Sequence, residues 1–153
     1  MAGKRLLGER VSYTQFDNPT DANYSMAREL RPDSILYADE LLVWDRIAPW
    51  LALLGRLQPW YLDTLCEYCR VIVSLSKNAK FFMEQGGETY EVSTRNGLQI
   101  KSYPQVGQRN EDRRMLRSYV SDFGLTPAAE RQFEEIQGDL VNEFAVAHMR
   151  ANG

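Results

Sequence analysis

Two cysteines three residues apart, Cys66 and Cys69, are the first residues whose spacing suggests chemistry. A CxxC pair can cycle between dithiol and disulfide, or supply half of a tetrahedral zinc site. A zinc site needs further ligands, and the single histidine, His148, lies far along the chain. Both cysteines also fall inside a helical apolar pattern, where a three-residue step puts them on one face. Buried free thiols are therefore expected. The paired acids Asp39-Glu40 and Glu134-Glu135 are expected to be helix-surface charges, not a metal site. No GxxxxGK[ST] phosphate loop, GxSxG elbow, HExxH motif or EF-hand loop occurs. The expectation is a non-enzymatic protein without cofactor or metal, which works by binding.

The arginines carry the other candidate chemistry. Arg109, Arg113, Arg114 and Arg117 recur at three- and four-residue steps, so a helix would set Arg113 and Arg117 in one row with Arg114 beside them. Such a row suits phosphate contact, which gives affinity with little sequence information. Lys4, Arg5 and Arg10 near the start are second candidates. The whole chain has net charge −3, so any nucleic-acid contact must come from a local patch. Charge is indeed uneven: residues 95–120 have a balance of +4 and residues 121–153 a balance of −4. The alternative use of these arginines is ion pairing across an interface between copies.

The elements that position these groups are mostly helical. A chain of 153 residues with 44% hydrophobic and 25% charged content suits one soluble domain. No apolar run reaches bilayer-spanning length, and the start "MAGKRLLGERVSYTQ" has no signal-peptide core, so a cytoplasmic protein with no membrane contact is expected. Residues 1–33 read as a flexible N-terminal arm, with Thr20 able to cap a short helix ending before Arg31-Pro32. Residues 34–153 read as a mainly helical domain. Leu41, Trp44, Ile47, Ala48, Leu51 and Leu54 form a stripe over residues 38–54, which Gly55 ends. Pro59 opens a second helix to about residue 84, burying Leu62, Leu65, Cys66, Cys69, Ile72, Val73 and Phe81.

The period then changes to alternation in "ETYEVSTRNGLQIKSY", which implies a β-hairpin. A three-residue loop, Arg95-Asn96-Gly97, pairs Val92 with Ile100, Thr94 with Leu98 and Glu91 with Lys101, and is the expected register. The hairpin's apolar face must then cover the helices or meet another subunit. After Pro104 a third helix should end at Phe123 with Met115, Leu116, Tyr119 and Val120 in its stripe. Gly124 stops it, Thr126 caps the next helix and Pro127 takes its first position. That fourth helix carries Phe133, Ile136, Leu140 and Phe144. The fold class expected is mainly α: a helical hairpin core, one small β-hairpin and a C-terminal pair of helices.

In order along the chain come "WDRIAPWLALLGRLQPWYLDTLCEYC", "NGLQIKSYP" and "DFGLTPAAERQF". Together these landmarks resemble the bacteriophage terminase small-subunit family that shares a C-terminal FGLTP signature. Trp44, Leu51, Gly55, Leu57, Asp63, Tyr68-Cys69, Gly97, Pro104 and Phe123-Gly124-Leu125-Thr126-Pro127 carry the match, over roughly residues 36–133. Gln58-Pro59 stands where the family often has a threonine-proline or serine-proline pair. The resemblance implies a component that recognises viral double-stranded DNA for packaging and assembles as a homo-oligomer, expected to be a ring, in the bacterial host cytoplasm. It also implies recruitment and regulation of a terminase large subunit holding the ATPase and nuclease. Two other readings stay open at this point: a helix-turn-helix transcriptional regulator built around Gly55, and an oligomeric adaptor without DNA affinity.

Overall fold

A computed structural model describes residues 18–126 together with Ala128 and Arg131. Lys4, Arg5, Arg10, Pro127 and the expected fourth helix with Phe133, Ile136, Leu140 and Phe144 lie outside the described residues. Within them the fold is mainly α, with one two-stranded antiparallel sheet.

Helix α1 spans Asp21–Glu29 and begins where Pro19 has no N–H to give. Thr20 caps it reciprocally: its N–H donates to Asn23 Oδ1 (2.9 Å), and its hydroxyl accepts from the Asn23 N–H (3.4 Å). Helix α2, Ala38–Leu53, supplies the wall against which α1 packs. Trp44 is fully buried there, and its Nε1–H donates to the Ala27 carbonyl at 3.0 Å. Arg31 fixes the connecting turn by donating to both Asp45 oxygens, at 2.8 and 3.0 Å. Pro49 lies inside α2 and is buried.

Gly55, at φ +69°, ends the helix in the left-handed conformation that a side chain disfavours. The Leu51 carbonyl then accepts from the N–H groups of Arg56 (2.7 Å) and Leu57 (3.2 Å), which tucks Leu57 into the core. A single 3₁₀ turn, Pro59–Tyr61, leads into α3, Leu62–Gln85. Leu65, Cys66, Cys69 and Val73 of α3 join Trp44, Ala48 and Leu51 in one apolar cluster. Strands β1 (Thr89–Thr94) and β2 (Gly97–Ser102) form the hairpin, and α4 (Pro104–Asp122) returns along α3.

Two expectations need correction. Residues 20–33, read as part of an arm over residues 1–33, belong to the folded body: Ala27 is buried in the main cluster, with Met26 and Leu30 packed against it. The hairpin register is also displaced by one residue from the expected one. Glu91 faces Ile100, Val92 faces Gln99, Ser93 faces Leu98 and Thr94 faces Gly97, so the turn is the two residues Arg95-Asn96. Matching apolar partners across the strands sets register only where a face is buried. Here every residue of β2 is exposed. The Thr94 hydroxyl instead donates to the Gly97 carbonyl at 2.7 Å and closes the turn.

The Trp44 hydrogen bond gives a direct test of how α1 is held. Trp44→Phe keeps most of the apolar volume and leaves the Ala27 carbonyl without its donor, which should cost about 1–3 kcal/mol. Urea unfolding should record that loss, and hydrogen exchange should accelerate first in α1.

Candidate nucleic-acid interface

Helix α4 is oriented by a buried carboxylate. Asp112 is only 3% exposed, and it accepts from the Ser74 hydroxyl of α3 and from Gln108 Nε2 (2.8 Å). No other α4 residue within the helix is buried to that degree, although Met115, Leu116, Tyr119 and Val120 are half-buried on the same side. At about 100° of rotation per residue, an inward Asp112 turns Arg113, Arg114 and Arg117 away from α3. All three are exposed. Arg114 meets Glu111 one turn earlier at 3.0 Å, a solvent-screened pair that contributes little. Among the described residues no carboxylate lies within ion-pair distance of Arg113 or Arg117.

Arg109 has a different place. Its guanidinium lies 5.1 Å from the centre of the Phe82 ring and meets both carboxylate oxygens of Glu88, and the side chain is 14% exposed. The hydrogen bond from Arg109 holds the Glu88 carboxyl below its ordinary range. Glu88 also accepts from the Tyr103 N–H through its backbone carbonyl at 3.0 Å. Phe81 packs edge-on against Tyr103 (5.1 Å), and Tyr90 lies beside the same ring (4.8 Å). Arg109 thus braces the base of the hairpin against α3 and α4, while the other three arginines face outward.

The remaining charged groups among the described residues offer no comparable row. Helix α3 has Asp63 and Glu67 near its start, after the aromatic turn of Trp60 and Tyr61, and its first cation, Arg70, is paired with Glu67. A helix presenting carboxylates at its start is poorly suited to enter a DNA groove. No group of three or more His, Cys, Asp or Glu side chains gathers among the described residues. None of their helices is long and apolar enough to cross a membrane. Cys66 and Cys69 are free and buried. Burial, the largest influence on both, raises the Cys66 thiol and pushes Cys69 up to about 12. A thiol so raised stays protonated and is a poor nucleophile.

The FGLT stretch closes a corner. Phe123 is buried and stands edge-on to Tyr61 at 6.4 Å. Gly124 takes φ +65°, which allows the Leu125 N–H to donate back to the Val120 carbonyl at 2.8 Å. From the turn after α2, Arg56 Nη1 donates to the carbonyls of Phe123 (3.2 Å) and Gly124 (3.1 Å). The turn after α2 and the end of α4 are stapled together at this point. Trp44 and Cys69 are core residues, and Asp63 sits exposed in the first turn of α3, where an acid complements the helix dipole.

Against this fold, a family model described as phage terminase, small subunit, matches residues 42–139. The chain belongs to that family. No curated protein and no solved structure gives a match. The matched stretch runs from the first turns of α2 past the FGLT corner, so α1 precedes it. In a terminase small subunit of this form, the landmark residues are mainly those that build the core and its corner.

Sequence reasoning had named the arginine row but missed Asp112 as its anchor. The signal was present, since Asp112 falls three and four residues before Met115 and Leu116 in the inward stripe. The Glu88–Arg109 brace had no local signal.

Two measurements test these placements. Arg109→Ala should speed amide exchange through the hairpin and the first turn of α4, while the thermal midpoint changes little. Cys66 and Cys69 should resist a thiol-titrating reagent at pH 8 in the folded protein and react fully in denaturant. The neutral Cys69 thiol favours the fold fully below its ordinary value of 9.0, and that contribution is lost as pH rises towards 12.

Proposed function

We propose that this chain recognises viral double-stranded DNA during genome packaging, self-associates and recruits a large terminase subunit that carries the ATPase and nuclease. The observation that carries this reading is the outward row of Arg113, Arg114 and Arg117 on a body of the terminase small-subunit family. Small subunits of that family are generally non-catalytic and regulatory. Arg113 and Arg117 have no carboxylate at ion-pair distance among the described residues, so phosphates meet them without first displacing an ion pair. Contacts of this kind release counterions and give salt-dependent affinity that varies little with sequence. Arg109 is left out of the set because its guanidinium is taken up by Glu88 and Phe82. Lys4, Arg5 and Arg10 remain second candidates. We place the protein in the bacterial host cytoplasm, where replicating phage DNA and the packaging motor are found.

A second reading, an oligomeric adaptor without DNA affinity, draws support from the exposed apolar residues of the hairpin, Leu98 and Ile100. One experiment separates the two. Duplex binding measured against salt should give a log–log slope that falls by about 2 when Arg113 and Arg117 are both changed to alanine. The loss of affinity should be similar for unrelated sequences. An unaltered slope takes both arginines out of the interface, and no duplex binding at all leaves the adaptor.

A further inference from the structure

Two exposed apolar surfaces of the described chain carry single, opposite, unpaired charges. The first is the outer face of the hairpin. Leu98 and Ile100 are 65% and 71% exposed, and alternation along β2 sets them on one side. Across from Ile100 stands Glu91, the one charged residue on that face, and across from Leu98 stands Ser93. Lys101 lies on the opposite face, beside Tyr90. The second surface runs along α2. Leu42, Arg46 and Trp50 follow at four-residue steps and form one ridge, with Leu53 half-buried beside them. Leu42 is 70% exposed and Trp50 42%, and Arg46 between them is exposed as well.

The acids that flank the ridge are already engaged. Asp39 meets Lys77 at 3.0 Å, and Asp45 holds Arg31 at 2.8 Å. Arg46 and Glu91 themselves have no ion pair among the described residues. The spacing of the two surfaces also agrees. Four residues of helix advance about 6 Å, and two residues of strand about 7 Å. With Leu98 against either apolar end of the ridge, Ile100 and Glu91 fall level with Arg46, whose aliphatic stem can cover Ile100 while its head meets the carboxylate. The chain's own hairpin does not make this contact, since both surfaces are open in the same fold. Its base is held in place by the Glu88–Arg109 pair and by the Tyr103 N–H on the Glu88 carbonyl.

We propose that the outer face of the hairpin docks on the α2 ridge of a second copy of this chain, with Glu91 paired to Arg46 of that copy. Each surface is apolar around one charge, and the charges are opposite, so the pairing that unites them satisfies both. Two hairpin faces set together would oppose two carboxylates, and two ridges would oppose two guanidiniums. The contact joins different surfaces and is heterologous: each copy gives a hairpin to one neighbour and receives a hairpin from another. The inference rests on the self-association in the function above, and makes no use of DNA contact by α4.

Sedimentation velocity on the full-length chain at low salt tests it by charge reversal. Glu91→Arg and Arg46→Glu should each weaken self-association about tenfold or more, since either change sets like charges together. An equimolar mixture of the two variants should restore association, because every hairpin then meets an opposite charge on the other variant's ridge. A second pair removes the apolar contacts: Leu98→Ser with Ile100→Ser, and Leu42→Ser with Trp50→Ser. Each should be monomeric where the unmodified chain associates, and their mixture should stop at a heterodimer with one intact contact. If circular dichroism shows a serine variant unfolded, the charge reversals at exposed positions carry the test. Undiminished association of Arg46→Glu would mean that the hairpin meets another surface, and undiminished association of Glu91→Arg would mean that ridges pair with one another; either overturns the proposal. A mixture of the two reversals that stays dissociated also overturns it. An unmodified chain that remains monomeric at high concentration removes self-association itself, and this contact with it, whereas undiminished variants remove the contact alone.

Discussion

Helix α3 has to be covered on two sides, and the two coverings are chemically unlike. Towards α2 it offers Leu65, Cys66, Cys69 and Val73, which meet Trp44, Ala48 and Leu51 in a dry cluster. Towards α4 it meets Leu116, Tyr119 and Val120 in a contact that also includes Ser74, which donates to the buried Asp112. Apolar burial is non-directional and tolerates rotation, whereas a hydrogen-bonded carboxylate fixes one azimuth. Apolar packing therefore supplies cohesion on both sides, and the Asp112–Ser74 hydrogen bond helps specify which way α4 faces. The arginine row points outward because Asp112 and the apolar residues beside it point inward.

The same division explains where the molecule is simple and where it is exposed. Near Trp44 the helices α1, α2 and α3 converge, and both glycine corners lie close to this end of α3. Gly55 turns the chain beneath Leu57, and Gly124 turns it beneath Phe123. At the other end of α3 the apolar supply runs down to Phe81 and Phe82, both half-buried. Aromatic rings and one braced arginine hold the hairpin there. Beyond that base the ribbon extends into solvent with its aliphatic residues uncovered.

Much of this was legible in the residues. Stop glycines, the Thr20 cap, Pro59, Pro104 and the three- and four-residue stripes located the described helices to within a few positions. What the sequence concealed was non-local. The hairpin register was inferred from a face assumed to be buried, and the face is in water, so turn geometry decided it. Helix α1 looked like part of an arm because its nine residues bury one small side chain, Ala27. Its anchor is the indole of Trp44, seventeen positions on. At the candidate interface, helical periodicity set Arg113, Arg114 and Arg117 together on the exposed side of α4. It could not show that Glu88, twenty-one residues earlier, would remove Arg109 from the group.

The staple at the FGLT corner has a mechanical side. Tension on the polypeptide beyond Thr126 is delivered first to the carbonyls of Phe123 and Gly124, and through the Arg56 guanidinium to the turn that carries Leu57. Such a load enters at a corner where the Arg56 hydrogen bonds and the buried Leu57 and Phe123 side chains must yield together. A pull on the ribbon tip meets only the braced base at Glu88 and Tyr103, which yields by successive peeling. The protein therefore has one stiff attachment point and one compliant one, at opposite ends of the same helix.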